Sequence, residues 1–212
     1  MKRKNLTIID HPLAQDKLWH LRNKHTAPDN FRRLVAELSH IMAYEMTRDF
    51  KTEVVEVETP VQKTTNRKIV ENMVLAPIMR AGQAMVDGML DLMPTCAVGH
   101  IGIYRDKFIN NTVEYYFRLP KGVKGVRVAV LDPLLATGDT AIAAVSRLKE
   151  YDVGPISFVA LLVAEVGLKK FLKIHPDVHV YTLSVEPEVN SAGYILPGIG
   201  DAGDRIYGTL NT

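Results

Sequence analysis

The stretch from Asp132 to Thr140, Asp-Pro-Leu-Leu-Ala-Thr-Gly-Asp-Thr, is the part of this chain that decides its fold. It follows the apolar run 126–131, which is typical of a buried strand, and it precedes the run 141–148, whose composition predicts a helix. A strand, an acid at its end, a loop with threonine and glycine, and a helix start together predict a phosphate-binding turn. Glycine lets the backbone approach an anion, while free N–H groups and the helix dipole favour negative charge.

Two other phosphate-binding motifs are absent from this turn. The P-loop needs a lysine soon after its second glycine, and none follows Gly138. The dinucleotide fingerprint Gly-x-Gly-x-x-Gly is missing as well. An acid at the strand end followed by Thr-Gly-x-Thr resembles the loop that binds 5-phospho-α-D-ribose 1-diphosphate (PRPP) in type I phosphoribosyltransferases. From the loop alone, an ordinary turn between a strand and a helix stays open as the alternative.

The composition is that of an ordinary globular protein. The 212 residues are 47% hydrophobic and 24% charged, enough for one substantial core. A net charge of +2 gives no support to a nucleic-acid partner. We find no signal-peptide pattern and no apolar run long enough to span a membrane. With Cys96 as the single cysteine, an intramolecular disulfide is excluded and we expect a cytoplasmic protein.

Predicted strands alternate with predicted helices along the chain. This alternation favours an α/β fold with a mostly parallel central sheet flanked by helices. Thr26, three residues before Asp29 and with Pro28 in the first turn, predicts the start of a helix that continues to Met46. Further helices are predicted at 84–92, 141–148 and 165–173, and strands at 54–57, 73–76, 97–104, 112–119, 126–131, 156–163 and 178–183.

Three segments follow predicted parallel strands: 77–82, 132–140 and the region after 183. The carboxyl ends of parallel strands meet at one edge of a sheet, where ligands bind in such folds. In the first segment Arg80 can bind a phosphate bidentately, and Gly82 frees the turn. The agreement of three loops is stronger support for a ligand site than any one of them.

A predicted hairpin at about 104–119 carries further cations. Arg105 or Lys107 could close over a leaving group as a lid and exclude water. From these residues alone, a solvated turn is the simpler interpretation.

The C-terminal segment 193–205 holds four glycines and a proline, which predicts an ordered loop without regular helix or strand. Apolar Ile195 and Ile199 argue against disorder. The backbone groups of such a loop suit a flat polar base such as a pyrimidine. Asp201 could hold a magnesium-bound water or help to deprotonate a ring nitrogen. A glycine-rich closure over the core is the alternative from this segment in isolation.

Taken together, these segments resemble the uracil phosphoribosyltransferase family over nearly the whole chain. The Gly-Asp-Ala-Gly-Asp-Arg tail is more specific than the phosphate loop, because other phosphoribosyltransferases carry different base-binding segments. The matching segments are His11 to Leu13, Tyr44 to Asp49, Glu58 to Val61, Pro77 to Gly82, Gly99 to Asp106, Asp132 to Thr140 and Tyr194 to Gly208.

The resemblance implies a pentosyltransferase that converts uracil and PRPP to UMP and diphosphate in pyrimidine salvage. Arg105 and Asp201 are the catalytic residues that it implies. The implied PRPP-binding residues are Arg80, Arg105, Asp132, Pro133, Leu134, Leu135, Ala136, Thr137, Gly138, Asp139, Thr140 and Asp201. The implied uracil-binding residues are Ile195, Gly200, Asp201 and Ala202.

The resemblance also implies Mg²⁺ as cofactor, held mainly by PRPP and reaching Asp201 through water rather than by dedicated protein ligands. It implies a homodimer or homotetramer, with activation by GTP in some members. The partners are small-molecule substrates, without nucleic acid or membrane. We expect a single domain, 1–212, with a flexible hairpin at about 104–119 and a uracil-binding hood at about 184–208.

Two departures from the family pattern bear on the site. The family commonly has Gly-Gly-Ser or Gly-Asn-Thr where this chain has Gly138-Asp139-Thr140. Asp139 places an anion beside a phosphate site, but its side chain could point outward while its N–H still donates. We therefore expect PRPP binding to be retained, at some cost in affinity. Gln83 and Ala84 stand where the family often has leucine and glycine.

Three alternatives stay open at this point. One is a phosphoribosyltransferase for a different base, against which the tail argues. Another is a nucleotide-sensing regulator that binds RNA, for which the balanced charge gives no support. The third is a catalytically weak paralogue that binds PRPP, against which Arg80, Arg105, Asp132 and Asp201 speak.

Overall fold

The computed structural model describes residues 4–106 and 111–209. The helices and strands alternate as the apolar patterns predict, with some additional short elements. In chain order the elements are β1 (Leu6–Ile8), α1 (Pro12–Arg22), α2 (Pro28–Met46), β2 (Thr52–Glu58), β3 (Lys63–Ile69), β4 (Met73–Pro77), α3 (Gln83–Leu92), β5 (Ala97–Val98), β6 (His100–Asp106), β7 (Asn111–Arg118), β8 (Arg127–Leu131), β9 (Leu134–Leu135), α4 (Asp139–Lys149), β10 (Ile156–Ala164), α5 (Glu165–Ile174), β11 (His179–Glu186), β12 (Glu188–Val189), β13 (Ile195–Leu196) and α6 (Ala202–Tyr207).

A seven-stranded sheet forms the centre of the molecule. Its strands run in the order β1-β11-β10-β8-β4-β5, with β9 paired to β10, and every one of these pairs is parallel. Parallel strands covered on both faces are apolar throughout, and all nine residues of β10 are buried. The predicted α/β fold with a mostly parallel central sheet is therefore confirmed.

The core has two layers, one on each face of the sheet. Side chains alternate along a strand, so Ala129 and Leu131 of β8 join one apolar cluster while Val128 and Val130 join the other. The first cluster includes buried residues of α1, α2, α3 and α6. The second includes buried residues of α4 and α5. Helices thus cover both faces, and the ends of the strands are left for the loops that connect them.

The carboxyl ends of the central strands share one edge. Strands β4, β8 and β10 end at Pro77, Leu131 and Ala164 in mutually parallel register. The segments 77–82 and 132–140 leave from neighbouring strands of this edge, and the C-terminal segment follows β11, the strand beside β10. All three candidate ligand segments therefore start at the same edge of the sheet, from the carboxyl ends of its strands.

The predicted strand 97–104 is two strands rather than one, which corrects that prediction. β5 pairs with β4 as the last parallel strand of the sheet, whereas β6 pairs antiparallel with β7 outside it. The chain leaves the sheet after Gly99 because β7 returns beside it and supplies antiparallel hydrogen bonds. Residues 107–110, which include Lys107, lie outside the described residues.

The segment 63–69 pairs antiparallel with β2 and forms a two-stranded arm. The sequence predicts the first strand of this arm but not the second, because β3 is polar. Every residue of β3 is exposed, so no burial pattern marks it in the sequence.

The N-terminal part of the structure differs from the sequence prediction in two respects. The sequence patterns did not predict β1 or α1, although both are formed. The helix after Thr26 starts as expected with Pro28 in its first turn, but its N-cap is Ala27. The Thr26 hydroxyl instead donates to the carbonyl of His20, at 2.6 Å. Among residues 4–106 and 111–209, no helix is both long and apolar enough to cross a membrane.

The close packing of α2 on α3 predicts the effect of a substitution at Gly88. A Cβ atom there would lie 2.3 Å from the carbonyl oxygen of Ala36. Alanine in a helix interior is favoured over glycine by about 1 kcal/mol, but the overlap should outweigh this gain. We expect Gly88→Ala to lower the free energy of unfolding by about 1–3 kcal/mol in urea titrations. The exposed neighbour Asp87→Ala is the control, and a Gly88→Ala protein more stable than the wild type would contradict the packing.

Candidate active site

The phosphate loop, defined as residues 132–140, turns sharply into α4. Gly138 is the N-cap of this helix and has a φ of 86°, in the left-handed region that glycine adopts readily. The first N–H groups of α4 therefore point away from the helix at its N-terminal end. The loop encloses a cleft of about 100 Å³. The cleft is lined by Asp132, Leu134, Leu135, Ala136, Thr137, Gly138, Asp139, Thr140 and Ala141.

Helix α5 packs directly on the back of this loop through Gly167. A Cβ atom on Gly167 would lie only 2.0 Å from the carbonyl oxygen of Ala136, and one on Gly138 would lie 3.0 Å from the carbonyl oxygen of Gly167. Backbone therefore lies against backbone, with no room for a side chain at Gly167. Gly167 was not among the predicted site residues. Its only signal in the sequence is that it interrupts an otherwise helical apolar pattern.

Asp132 stands at the end of β8 and is partly buried. Burial raises the pKa of its carboxyl to about 7, while a hydrogen bond of 3.3 Å from the Leu134 N–H opposes that rise. A carboxyl that has lost much of its hydration can regain hydrogen bonds from a pair of hydroxyl groups. Pro133, which was also predicted to bind PRPP, is buried and is not one of the residues that line the cleft. Its carbonyl accepts from the Leu162 N–H at 3.1 Å.

The structure shows where the Asp139 carboxylate points. It accepts a hydrogen bond of 2.9 Å from the Thr137 hydroxyl and forms an ion pair with Lys170 of α5. The extra negative charge is therefore balanced by a cation from outside the phosphate loop. Lys170 leaves no local signal in the sequence, because it lies 31 residues from Asp139 along the chain.

The diphosphate loop, defined as residues 77–82, lies beside the phosphate loop. The Ile78 N–H donates to the carbonyl of Leu131, the last residue of β8, at 2.9 Å. On its other side the Met79 N–H donates to Ile101 of β6 at 2.7 Å. The peptide bond between Met79 and Arg80 is cis. These contacts place Arg80 next to the strand end that carries Asp132.

Arg80 is held by the C-terminal helix α6. Its guanidinium lies 3.7 Å from a carboxylate oxygen of Asp204 and 5.7 Å from the centre of the Tyr207 ring. The Tyr207 hydroxyl donates to the carbonyl of Arg80 at 2.9 Å. The sequence patterns assigned no role to Tyr207 or Asp204. Their contacts connect the segment that is predicted to bind the base with residues 77–82.

Arg205 and Arg22 are among the arginines that hold the hood, the segment predicted to bind the base at about 184–208. Arg205 is buried and donates to the carbonyls of Leu21, Ile199 and Asn23 at 2.6–3.0 Å. Its guanidinium lies 4.3 Å from the centre of the Phe31 ring, and burial lowers its pKa. The shape of the hood therefore depends on hydrogen bonds between a buried cation and backbone carbonyls.

Arg22 is the second of these arginines. It donates to the carbonyl of Gly198 at 3.0 Å and pairs with Glu186 of β11 at 2.6 Å. Burial acts to raise the pKa of Glu186, but hydrogen bonds from Arg22 and Ser184 outweigh it and hold that pKa below its ordinary value. This network joins α1, β11 and the hood.

The hood contains regular elements, which corrects the prediction of a loop without helix or strand. β13 pairs antiparallel with β12, and α6 occupies the last part of the segment. The side chains of Ile195 and Ala202 are buried in the core, each 4% exposed. These two residues therefore offer a ligand their main-chain groups rather than their side chains.

Asp201 has a structural contact that the sequence did not predict. Its carboxylate accepts from the Asp204 N–H at 2.9 Å and caps α6. Aspartate is a preferred N-cap because it satisfies a free N–H group of the first turn. Arg105 lies in β6, but its side chain is outside the described part of the structure. In that described part, no group of three or more His, Cys, Asp or Glu residues is arranged to hold a metal ion.

Nearly the whole chain matches a protein family. The family model described as "Uracil phosphoribosyltransferase" covers residues 8–209. A uracil phosphoribosyltransferase of Variovorax paradoxus is 50% identical over 207 residues, which are 97% of this chain and 99% of that relative. One of Caulobacter vibrioides is 47% identical over 206 residues, with the same coverage of both chains.

Solved structures agree in fold. The AQ2163 protein of Aquifex aeolicus superposes with a TM-score of 0.92 at 32% identity, over 98% of this chain and 100% of that one. A hypoxanthine-guanine phosphoribosyltransferase of Bacillus anthracis superposes with a TM-score of 0.51 at 11% identity, over 75% and 80% of the two chains. The second likeness shows a shared fold alone.

The raised pKa of Asp132 predicts a pH-dependent stability. Because the folded state disfavours the ionised carboxyl, its contribution to stability is full below about pH 4 and is lost as pH rises through about 7. Asp132→Asn cannot ionise, so its Tm should exceed that of the wild type by about 3 °C more at pH 8 than at pH 5. Scanning calorimetry measures both, with the exposed Asp16→Asn as control. An equal difference at the two pH values would contradict the burial of the charge.

Proposed function

The chain belongs to the uracil phosphoribosyltransferase family, and we propose that the carboxyl edge of its sheet joins uracil to the ribose of PRPP. The products are UMP and diphosphate, and the enzyme is a pentosyltransferase of pyrimidine salvage. The observation that carries the proposal is the meeting of three segments at one edge: a phosphate loop, an arginine-bearing loop and a hood suited to a flat base. Each segment supplies a site for one part of the two substrates.

The ribose 5-phosphate part of PRPP binds to the phosphate loop. The first N–H groups of α4 and the hydroxyls of Thr137 and Thr140 supply donors to the phosphate, and the helix dipole favours its charge. Asp132 accepts hydrogen bonds from the ribose hydroxyls. Its partly buried position supports this role, because hydroxyl donors replace the water that the carboxyl has lost.

The diphosphate of PRPP binds between Arg80 and Arg105. A guanidinium suits this group because it can donate two parallel hydrogen bonds to phosphate oxygens. The contacts of Arg80 with Asp204 and Tyr207 limit where its side chain can lie. Arg105, on the β6–β7 hairpin, closes over the leaving group and excludes water.

Uracil binds under the hood through main-chain groups. Ile195, Gly200 and Ala202 present N–H and C=O groups to the polar edge of the base, and Asp201 faces PRPP. The carbonyls of Gly198 and Ile199, fixed by Arg22 and Arg205, support a preformed base site. A rigid array of donors and acceptors selects one base because a mismatched base leaves buried polar groups without partners.

The chemistry is substitution at the anomeric carbon of the ribose, through a transition state that resembles an oxocarbenium ion. The C–O bond to diphosphate breaks, and a bond forms to N1 of uracil, which loses its proton. The protein orients the two substrates, stabilises the charge that develops on diphosphate and excludes water. Asp201, at the N-terminus of α6, helps to take up the proton.

Mg²⁺ is the cofactor that this reaction uses. PRPP oxygens hold the ion, with water between it and Asp201, because Mg²⁺ keeps several of its waters and binds through substrate phosphates more readily than through dedicated protein ligands. When bound, Mg²⁺ neutralises charge on the leaving diphosphate.

We extend the proposal to assembly, regulation and location. A homodimer or homotetramer is supported by the β2–β3 arm, whose Val54, Val57 and Ile69 are exposed apolar residues. The proposal of activation by GTP rests on the family resemblance. The proposal of a cytoplasmic location rests on the single cysteine, Cys96.

The base specificity is tested by offering uracil, cytosine, hypoxanthine, adenine and orotate with PRPP and Mg²⁺, each with and without GTP. We expect nucleotide formation with uracil only, because the hood is built for one polar edge. Turnover of another base would still support the PRPP site but would contradict the assignment of uracil as the base. PRPP binding without turnover of any base would favour the catalytically weak paralogue.

Asp201→Asn separates the chemical role of this residue from its capping role. Asparagine is also a good N-cap, so α6 and the thermal stability should be retained. We expect kcat for UMP formation to fall by at least about 100-fold because the charge is lost. A stable variant with nearly normal kcat would contradict the catalytic assignment of Asp201.

A further inference from the structure

We propose that Lys170 is a positioning residue for PRPP, which holds the Asp139 carboxylate so that the phosphate loop accepts the 5′-phosphate. The inference rests on the proposed function, since it concerns the same PRPP site. It extends that function to a residue of α5 that no phosphate-loop pattern contains.

The Asp139 carboxylate competes with a bound phosphate for the same hydrogen-bond donors. It is the first residue of α4, where the N–H groups and the helix dipole favour any negative charge. Its carboxylate already accepts the hydroxyl proton of Thr137, at 2.9 Å. The donors that suit a bound phosphate therefore also suit this side chain, and the chain carries a competitor for its own ligand site.

The ammonium of Lys170 partly neutralises the Asp139 carboxylate, and its place is set by the packing of α5. The contact between Gly167 and the Ala136 carbonyl sets α5 against the loop, and Lys170 lies almost one helical turn further on. Its ammonium pairs with the Asp139 oxygen that does not accept from Thr137. The Asp139 side chain is 25% exposed and that of Lys170 is 48% exposed, so water only partly screens the pair.

The neighbouring lysine provides an internal comparison. Lys169 forms an ion pair with Glu165 of the same helix at 3.1 Å, and its side chain is 67% exposed. Two adjacent lysines of α5 therefore have different partners. Lys170 pairs with the phosphate loop, whereas Lys169 pairs along the helix.

This arrangement leads to a simple exchange when PRPP binds. The Thr137 hydroxyl turns from Asp139 to a phosphate oxygen, and Asp139 keeps Lys170 as its partner. Without the lysine, the Asp139 carboxylate would lose this ion pair beside a phosphate that carries about two negative charges, and the added repulsion is costly in a partly buried site. Lys170 thus acts on PRPP affinity through Asp139.

The test is a set of four variants in steady-state kinetics: Lys170→Met, Asp139→Asn, the double variant, and Lys169→Met as the matched control. We expect Lys170→Met to raise the KM for PRPP about fivefold or more, with kcat within about twofold and the KM for uracil unchanged. Lys169→Met removes the same charge from the same helix and should leave the KM for PRPP unchanged. In the Asp139→Asn background, Lys170→Met should change the KM for PRPP by less than about twofold, because the carboxylate has gone.

Two results would overturn the proposal. One is a KM for PRPP that Lys170→Met leaves unchanged. The other is an equal rise for Lys170→Met in the wild-type and Asp139→Asn backgrounds, which would mean that Lys170 acts on PRPP without Asp139. If the wild type turns over no base, the proposed function fails separately. The dissociation constants of PRPP measured by calorimetry on the same variants still test the pair in that case.

Discussion

The contact between the backbone of Gly167 and the backbone of the phosphate loop is the constraint on which the site depends. The carbonyl of Ala136 lies where a side chain on Gly167 would be, and the carbonyl of Gly167 lies close under Gly138. We propose that the N–H groups of this loop bind the phosphate, so they cannot also hold the loop in place. The packing of α5 behind the loop does so instead. The same contact brings Lys170 to Asp139, and it therefore sets the charge of the site as well as its shape.

A second set of contacts joins the base site to the diphosphate loop. Arg205 is buried under the hood and holds the Ile199 carbonyl, while Tyr207, two residues later in α6, donates to the carbonyl of Arg80. One short helix therefore connects the segment assigned to uracil with the loop assigned to diphosphate.

Much of the fold could be predicted from the sequence because its strands are apolar and its phosphate turn is local. Residues 156–163 and 126–131 are continuous apolar runs, and the loop residues lie together in the chain. The rest depends on tertiary contacts that leave little local signal. Lys170 lies 31 residues from Asp139 along the chain, and Gly167 is equally far from Ala136. The hood helix α6 forms in a glycine-rich segment because Asp201 caps it and Arg205 anchors it. The second strand of the exposed arm, 63–69, is polar and has no burial pattern to mark it.

The most direct measurement is the dissociation constant of PRPP for Gly167→Ala, by calorimetry, beside the control Val166→Ala at an exposed position of the same turn. The added Cβ must displace the Ala136 carbonyl, so PRPP should bind at least about tenfold more weakly, a loss of about 1.4 kcal/mol. The control should bind PRPP as the wild type does, and both variants should unfold cooperatively. A folded Gly167→Ala protein with wild-type affinity for PRPP would contradict the dependence of the phosphate loop on this backbone contact.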